Sequence, residues 1–247
     1  MNDFLAVLEQ GAAELGLALS SRQMEQCQTY LRLLLEWNQK INLTAITEER
    51  EIAVKHFLDA LAGGQYVPWP AKGRVLDLGS GAGFPGLVLK IWRPEYEFLL
   101  VDAVQKKVNF LDRVIEELGL KGIAAVHGRA EEMGRREEHR ERYDLVVARA
   151  VAALPTLAEF CLPLVSVGGC FCAFKGPQVE EELAPGEEAL RLLGGQVEAV
   201  HRYRLPVKGD GRSLVCVRKG SPTPASYPRR SGLPEKRPLG TKKLDRR

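Results

Sequence analysis

The sequence has no metal-ligand spacing, no disulfide framework and no membrane-length apolar run, and each absence removes a class of protein. Its four histidines, His56, His127, His139 and His201, stand far apart, so they read as structural or surface groups and no metal is expected. The five cysteines, Cys27, Cys161, Cys170, Cys172 and Cys216, are odd in number and form no C-x-x-C pair. Reduced thiols in a cytoplasmic protein fit that pattern. No stretch of about 18 apolar residues occurs, so no membrane span is expected. The start, MNDFLAVLEQ, has early acidic residues and no signal-like apolar block. There is no internal repeat.

The chain has 247 residues, 45% of them hydrophobic, enough for one domain with a full core plus extensions. The net charge of +3 hides an asymmetry. Residues 218–247 carry ten Lys/Arg against two Asp/Glu, while the rest of the chain is net acidic. Such a split points to a polyanionic partner, most plausibly nucleic acid.

Residues 1–66 read as a helical extension. Ser20 can cap a helix running to about Lys40, with Met24, Cys27, Leu31 and Leu34 on one face and Leu33, Trp37 and Ile41 widening it. Residues 48–62 offer another helix, ended by Gly63 and Gly64, and Pro68 and Pro70 mark a break. Residues 67–219 then alternate. Strands are predicted at 74–78, 97–102, 122–127, 143–148, 169–174, 196–204 and 213–218, with helices between the first five. The clearest helix, 105–118, places Val108, Leu111, Ile115 and Leu118 on one face. Alternation of this kind predicts an α/β fold with a parallel sheet covered on both faces. The last two strands are joined by a connection too short for a crossover helix, so they should form an antiparallel hairpin. That layout is the class I methyltransferase fold rather than a plain dinucleotide-binding fold. Residues 220–247, basic and Pro-rich, are expected to be a poorly ordered tail.

The stretch GRVLDLGSGAGFPG, residues 73–86, is a buried strand, a glycine turn and a helix start. Gly79, Gly81 and Gly83 allow unusual dihedrals and the close approach of a ligand. Two cofactors compete for it. Residues 81–86 fit G-x-G-x-x-G, the pyrophosphate fingerprint, whereas 79–83 fit the G-x-G-x-G of S-adenosylmethionine enzymes. Pro85 removes one N–H from the helix start, which disfavours the pyrophosphate reading. Asp102 ends the second strand, where a carboxylate can accept both ribose hydroxyls; a helix cap is its simpler role. Ala103 and Val104 would flank the adenosine. Ala130 and Glu131 follow the third strand and could reach the adenine edge, although Glu131 also suits a first-turn acid. Arg149 ends the fourth strand and Lys175 the fifth, both at the ligand-binding edge of such sheets.

Missing motifs narrow the acceptor. After strand four, where amine methyltransferases have an N/D-P-P-Y/F/W run, the chain reads Ala148-Arg149-Ala150-Val151. No cysteine is placed as a pyrimidine C5 nucleophile, and the Lys-Asp-Lys-Glu set of ribose methylation is absent because Arg149 stands where its acid would be. Acceptors that need no base remain, guanine N7 among them. The overlapping fingerprint leaves a nicotinamide-dependent oxidoreductase open, without its Tyr-x-x-x-Lys pair. A non-catalytic RNA-binding or ribosome-assembly protein is also open.

Taken together these segments resemble the RsmG (GidB) family of bacterial small-subunit rRNA guanine-N7 methyltransferases. The resemblance runs through residues 37–44 (WNQKINLT), 56–59 (HFLD), 77–86, 128–131 (GRAE), 148–150 and 174–176 (FKG), with 227–234 (YPRRSGLP) in the tail. Ser231 departs from it, standing where proline is frequent. The resemblance implies S-adenosylmethionine contacts from Gly79, Phe84, Asp102 to Val104, Ala130, Glu131 and Arg149. It also implies a guanine of the 530 loop of 16S rRNA as acceptor, within the small ribosomal subunit or a precursor. Arg149 and Lys175 would position that acceptor. A cytoplasmic monomer without metal is expected.

Overall fold

The computed structural model describes residues 3–240. Its centre is a seven-stranded sheet in the order β3-β2-β1-β4-β5-β7-β6. The strands are β1 (Arg74–Leu78), β2 (Glu97–Asp102), β3 (Ile123–His127), β4 (Tyr143–Arg149), β5 (Val165–Lys175), β6 (Gly195–Arg204) and β7 (Gly211–Lys219). Strands β1 to β5 pair in parallel, and β7 lies antiparallel between β5 and β6. The predicted hairpin is therefore present. Because β1 pairs with both β2 and β4, chain order reverses at β1, which opens a crevice at the carboxyl ends of β1 and β4. The inner strands are apolar runs, as burial on both faces demands: Leu145, Val146, Val147 and Ala148 of β4 have no exposed surface.

Helices α5 (Gly86–Trp92), α6 (Gln105–Glu117), α7 (Ala130–Met133), α8 (Leu154–Cys161) and α9 (Glu180–Leu192) cover the sheet, and the helices of the amino-terminal extension precede it. Helix α6 buries Val108, Phe110, Leu111 and Val114, close to the predicted stripe. Each such side chain contributes about 1.5–3 kcal/mol on leaving water.

The amino-terminal extension comprises α1 (Asp3–Glu14), α2 (Ser21–Asn38), α3 (Glu49–Ile52), a π-helical stretch (Ala53–Leu58) and α4 (Asp59–Gly64). Ser20 caps α2 through a capping box with Gln23, as its position predicts. The extension shares one core with the sheet layer: Phe4, Tyr30, Leu34 and Phe57 cluster with Phe84, Leu87 and Phe110. The Tyr30 hydroxyl donates to the Ala82 carbonyl inside the glycine turn. The boundary at residue 66 is thus a change of secondary structure within one packed body.

The expectation of a poorly ordered tail is corrected for residues 220–240; residues 241–247 lie outside the described residues. Arg140 donates to the carbonyls of Thr223 and Tyr227 at 2.7 and 2.8 Å, and Arg135 to that of Pro228 at 3.0 Å. Arg229 pairs with Glu159, and a short turn, α10 (Leu233–Lys236), packs on α8. Composition suggested disorder because apolar residues are few, but charged hydrogen bonds to the body anchor the segment instead. Lys219 and Arg229 answer buried or half-buried carboxylates, so part of the basic charge is spent internally.

Candidate cofactor and acceptor site

The glycine turn hangs from β2. The N–H groups of Gly79 and Ser80 both donate to the Val101 carbonyl, at 2.8 and 3.0 Å. Gly79 (φ +72°) and Gly81 (φ +58°) hold left-handed conformations that β-carbons disfavour. A Cβ on Gly79 would lie 2.6 Å from Val151, whereas one on Gly81 would meet nothing nearer than 3.9 Å, so Gly81 faces open space. Gly83 is glycine for packing, since a Cβ there would strike Leu87 and Tyr30. Beneath the turn, fully buried Asp77 accepts from the Gly86 N–H at 3.0 Å, and burial pushes its carboxyl up to about 7.

A cavity of about 130 Å³ opens beside the turn, with Leu78, Gly79, Asp102, Ala103, Ala130, Glu131 and Phe160 in its wall. Asp102 is 6% exposed; its Oδ2 accepts from Gly81 N–H and its Oδ1 from Val104 N–H, both at 2.9 Å. It therefore ties the turn to the end of β2 and makes no side-chain cap on α6, while its oxygens keep further lone pairs for a ligand. Glu131 accepts the N–H of Gly232 from the tail at 2.8 Å, and Glu235 reaches the same cavity. Sequence reasoning missed these two tail contributions. Only the contact across 101 positions reveals the first.

Of the residues expected here, Gly79, Asp102, Ala103, Ala130 and Glu131 line this cavity, and Gly81 joins them through the turn. Gly83, Val104 and Arg149 lie outside its wall. Phe84 is outside this wall as well. Its ring is 4% exposed and stacks between Tyr30 (5.1 Å) and His56 (4.7 Å), so it forms the wall behind the turn.

Arg149 and Lys175 meet in a second cavity, of about 360 Å³, with Lys55, His56, Asp59, Ala150, Phe174 and Arg212. Ala150, at φ +56°, turns the chain between the two cavities: Arg149 faces this one and Val151 the first. Arg149 Nη1 donates to Asp59 Oδ2 at 2.8 Å and to the Lys55 carbonyl at 3.1 Å, and Nη2 lies 3.3 Å from His56 Nδ1. His56 Nδ1 also lies 3.1 Å from the Lys55 carbonyl, and Nε2 lies 2.9 Å from Thr44 Oγ1, so both ring nitrogens are engaged in either tautomer. Burial, then the Arg149 charge, lowers the imidazole to about 3. Asn38 in turn pins Thr44, accepting its N–H at 3.0 Å. The WNQKINLT and HFLD segments thus orient one arginine. Lys175 Nζ is engaged by the Ala152 carbonyl at 2.7 Å and by Glu182 at 2.6 Å. A wider cavity, about 580 Å³ between Gly195 and Gly220, lies at the opposite edge of the sheet and contains none of these residues.

A slot with a buried carboxylate in its wall suits the nucleoside half of S-adenosylmethionine, and the open face of Gly81 leaves room beside it. The sheet order and the site together define a class I S-adenosylmethionine-dependent methyltransferase. Solved structures share the fold. One is a candidate O-methyltransferase from Agrobacterium tumefaciens (TM-score 0.53, 20% identity, 66% of this chain and 81% of that one). Another is MtNAS bound to MTA and tNA (TM-score 0.54, 16% identity, 78% and 74%).

The family is narrower. Residues 23–209 match the GidB model, described as rRNA small subunit methyltransferase G. The ribosomal RNA small subunit methyltransferase G of Desulforamulus reducens is 46% identical over 239 residues, covering 97% of this chain and all of that one. That of Bacillus subtilis is 44% identical over 229 residues, covering 93% and 96%. The chain belongs to this family, an rRNA methyltransferase family that uses S-adenosylmethionine. The oxidoreductase alternative falls with that membership. Among the described residues no helix is long and apolar enough to cross a membrane.

Proposed function

We propose that this protein methylates N7 of a guanine in the 530 loop of 16S rRNA, acting as a cytoplasmic monomer on the small ribosomal subunit or its precursor. The observation that carries the reading is the absence of an available base among the described groups around Arg149. The His56 lone pair is engaged by Arg149 at Nδ1 or by Thr44 at Nε2, the Asp59 carboxylate is ion-paired with Arg149 and Arg212, and Glu182 bonds Lys175. An acceptor that must lose a proton has nowhere to send it, whereas guanine N7 presents a lone pair and no proton.

S-adenosylmethionine supplies an electrophilic methyl group on a sulfonium. The chain's own residues bind and orient. Gly79, Gly81, Asp102, Ala103, Ala130 and Glu131 hold the nucleoside. Arg149 faces the acceptor from the second cavity. Lys175 fixes the Ala152 carbonyl and so the loop that lays Val151 over Gly79. Positioning and electrostatics then supply the rate. Mass spectrometry of 16S rRNA from a deletion strain tests the reading: loss of one N7-methylguanosine is expected, and an unchanged level overturns it.

A further inference from the structure

We propose that Arg212 grips the phosphate of the acceptor nucleotide, working as a pair with Arg149 across the buried Asp59 carboxylate. The proposal rests on the RNA methyltransferase reading above and adds a residue and a ligand chemistry to it.

Arg212 reaches the site because β7 runs antiparallel. Its first residues lie at the carboxyl end of β5, where Lys175 pairs with Ser213. There Arg212 Nε stands 3.3 Å from Asp59 Oδ1, while Asp59 Oδ2 accepts from Arg149 at 2.8 Å. One carboxylate therefore faces two guanidiniums. The other cations of the cavity have their own partners: Lys55 pairs with Glu51 at 2.7 Å and Lys175 with Glu182 at 2.6 Å. The arginine pair is left with an uncompensated positive charge beside a 360 Å³ cavity.

Two further observations point to an anion there. Asp59 is only 5% exposed and its one hydrogen bond from an arginine comes from Arg149; Oδ1 has none, so Arg212 is drawn to the site by charge without being tied up in it. Arg212 spends Nη1 on the Gly211 carbonyl at 2.8 Å and leaves Nη2 without a partner among the described residues. A guanidinium edge of this kind binds a phosphate in a fork that an ammonium cannot match. In RNA every acceptor base carries such a phosphate beside it.

The test compares wild type, Arg212→Gln and Arg212→Lys in methyl transfer to small ribosomal subunits, with guanosine and guanosine 5′-monophosphate as inhibitors. Loss of one charged contact should raise KM for the subunit about tenfold in Arg212→Gln. The S-adenosylmethionine affinity and kcat should stay within about twofold, since Arg212 is outside the nucleoside cavity. The salt slope of RNA binding should fall by about 0.7, the value of one single-strand phosphate contact. The monophosphate should inhibit wild type better than guanosine, and that preference should vanish in Arg212→Gln. Arg212→Lys keeps the charge but loses the fork, and should show an intermediate preference; it carries the test if the glutamine variant does not fold. Wild-type KM, slope and inhibitor preference in the variants overturn the proposal. So does an equal effect from inorganic phosphate alone, which would mark a free-anion site. Absence of transfer by the wild type would instead overturn the methyltransferase reading, and this inference with it.

Discussion

Glu159, which has no exposed surface on α8, is enclosed by Arg229 of the tail. The backbone N–H and Nε of Arg229 donate to Oε1 at 2.7 and 2.9 Å, and Nη2 donates to Oε2 at 2.6 Å. A carboxylate that deep is tolerable only with its partners in place. The same tail then carries Gly232 to Glu131 and Glu235 to the nucleoside cavity. The segment after β7 is therefore a wall of the site as well as a carrier of charge.

Arg229→Ala should lower stability by about 3 kcal/mol, because it leaves a buried charge unpaired. Urea titration reads this directly, and adding Glu159→Gln should recover part of the loss. An unchanged midpoint would show that the pair contributes nothing. Truncation after Gly220 removes the same partner, so it does not isolate the tail's affinity for RNA.

Asp102→Ala should weaken S-adenosylmethionine binding by about 1–3 kcal/mol, the range for charged hydrogen bonds. It also releases the Gly81 and Val104 N–H groups that the carboxylate now accepts from. Calorimetry showing equal affinity would remove Asp102 from the nucleoside site.

His56 makes stability depend on pH. Its native value is lowered to about 3 from the ordinary 6.5, by burial first and the Arg149 charge second. Between those values the unfolded chain binds a proton that the native chain refuses. The His56 contribution is thus fully present above pH 6.5 and is lost as the pH falls toward 3. Denaturant midpoints measured from pH 7 to 4 should fall less steeply in His56→Gln than in wild type. Parallel curves would show that His56 titrates alike in both states.

All five cysteines are buried and free, and burial pushes the Cys27 thiol up to about 12. An aromatic disulfide reagent should find almost no reactive thiol in the native protein and five in denaturant. Rapid reaction of any one under native conditions would contradict the packing.

Much of the fold was legible because strands announce themselves locally. The glycine turn, the seven strands and the short link between β6 and β7 are all near-neighbour patterns, and the observed strand bounds differ from the expected ones mainly by extension at the ends. Asp102 and Glu131 could be singled out because one ends β2 and the other follows β3 within four residues. The direction of the Phe84 ring was not legible. The residue adjoins the turn in sequence, but Tyr30 and His56, distant along the chain, decide where its ring goes. Asp59 stood within a noted segment without a role, since its role is a bond to Arg149 across 90 positions.

By itself, then, the sequence determined the sheet, the turn and the family, because periodicity, glycine spacing and motif content are properties of short stretches. Only the tertiary structure decided that Arg149 faces one cavity and Val151 the other, that Arg212 joins Asp59, and that the basic tail closes over Glu131. Those are relations between side chains brought together by strand order and burial, and no local pattern encodes the direction in which a folded side chain points.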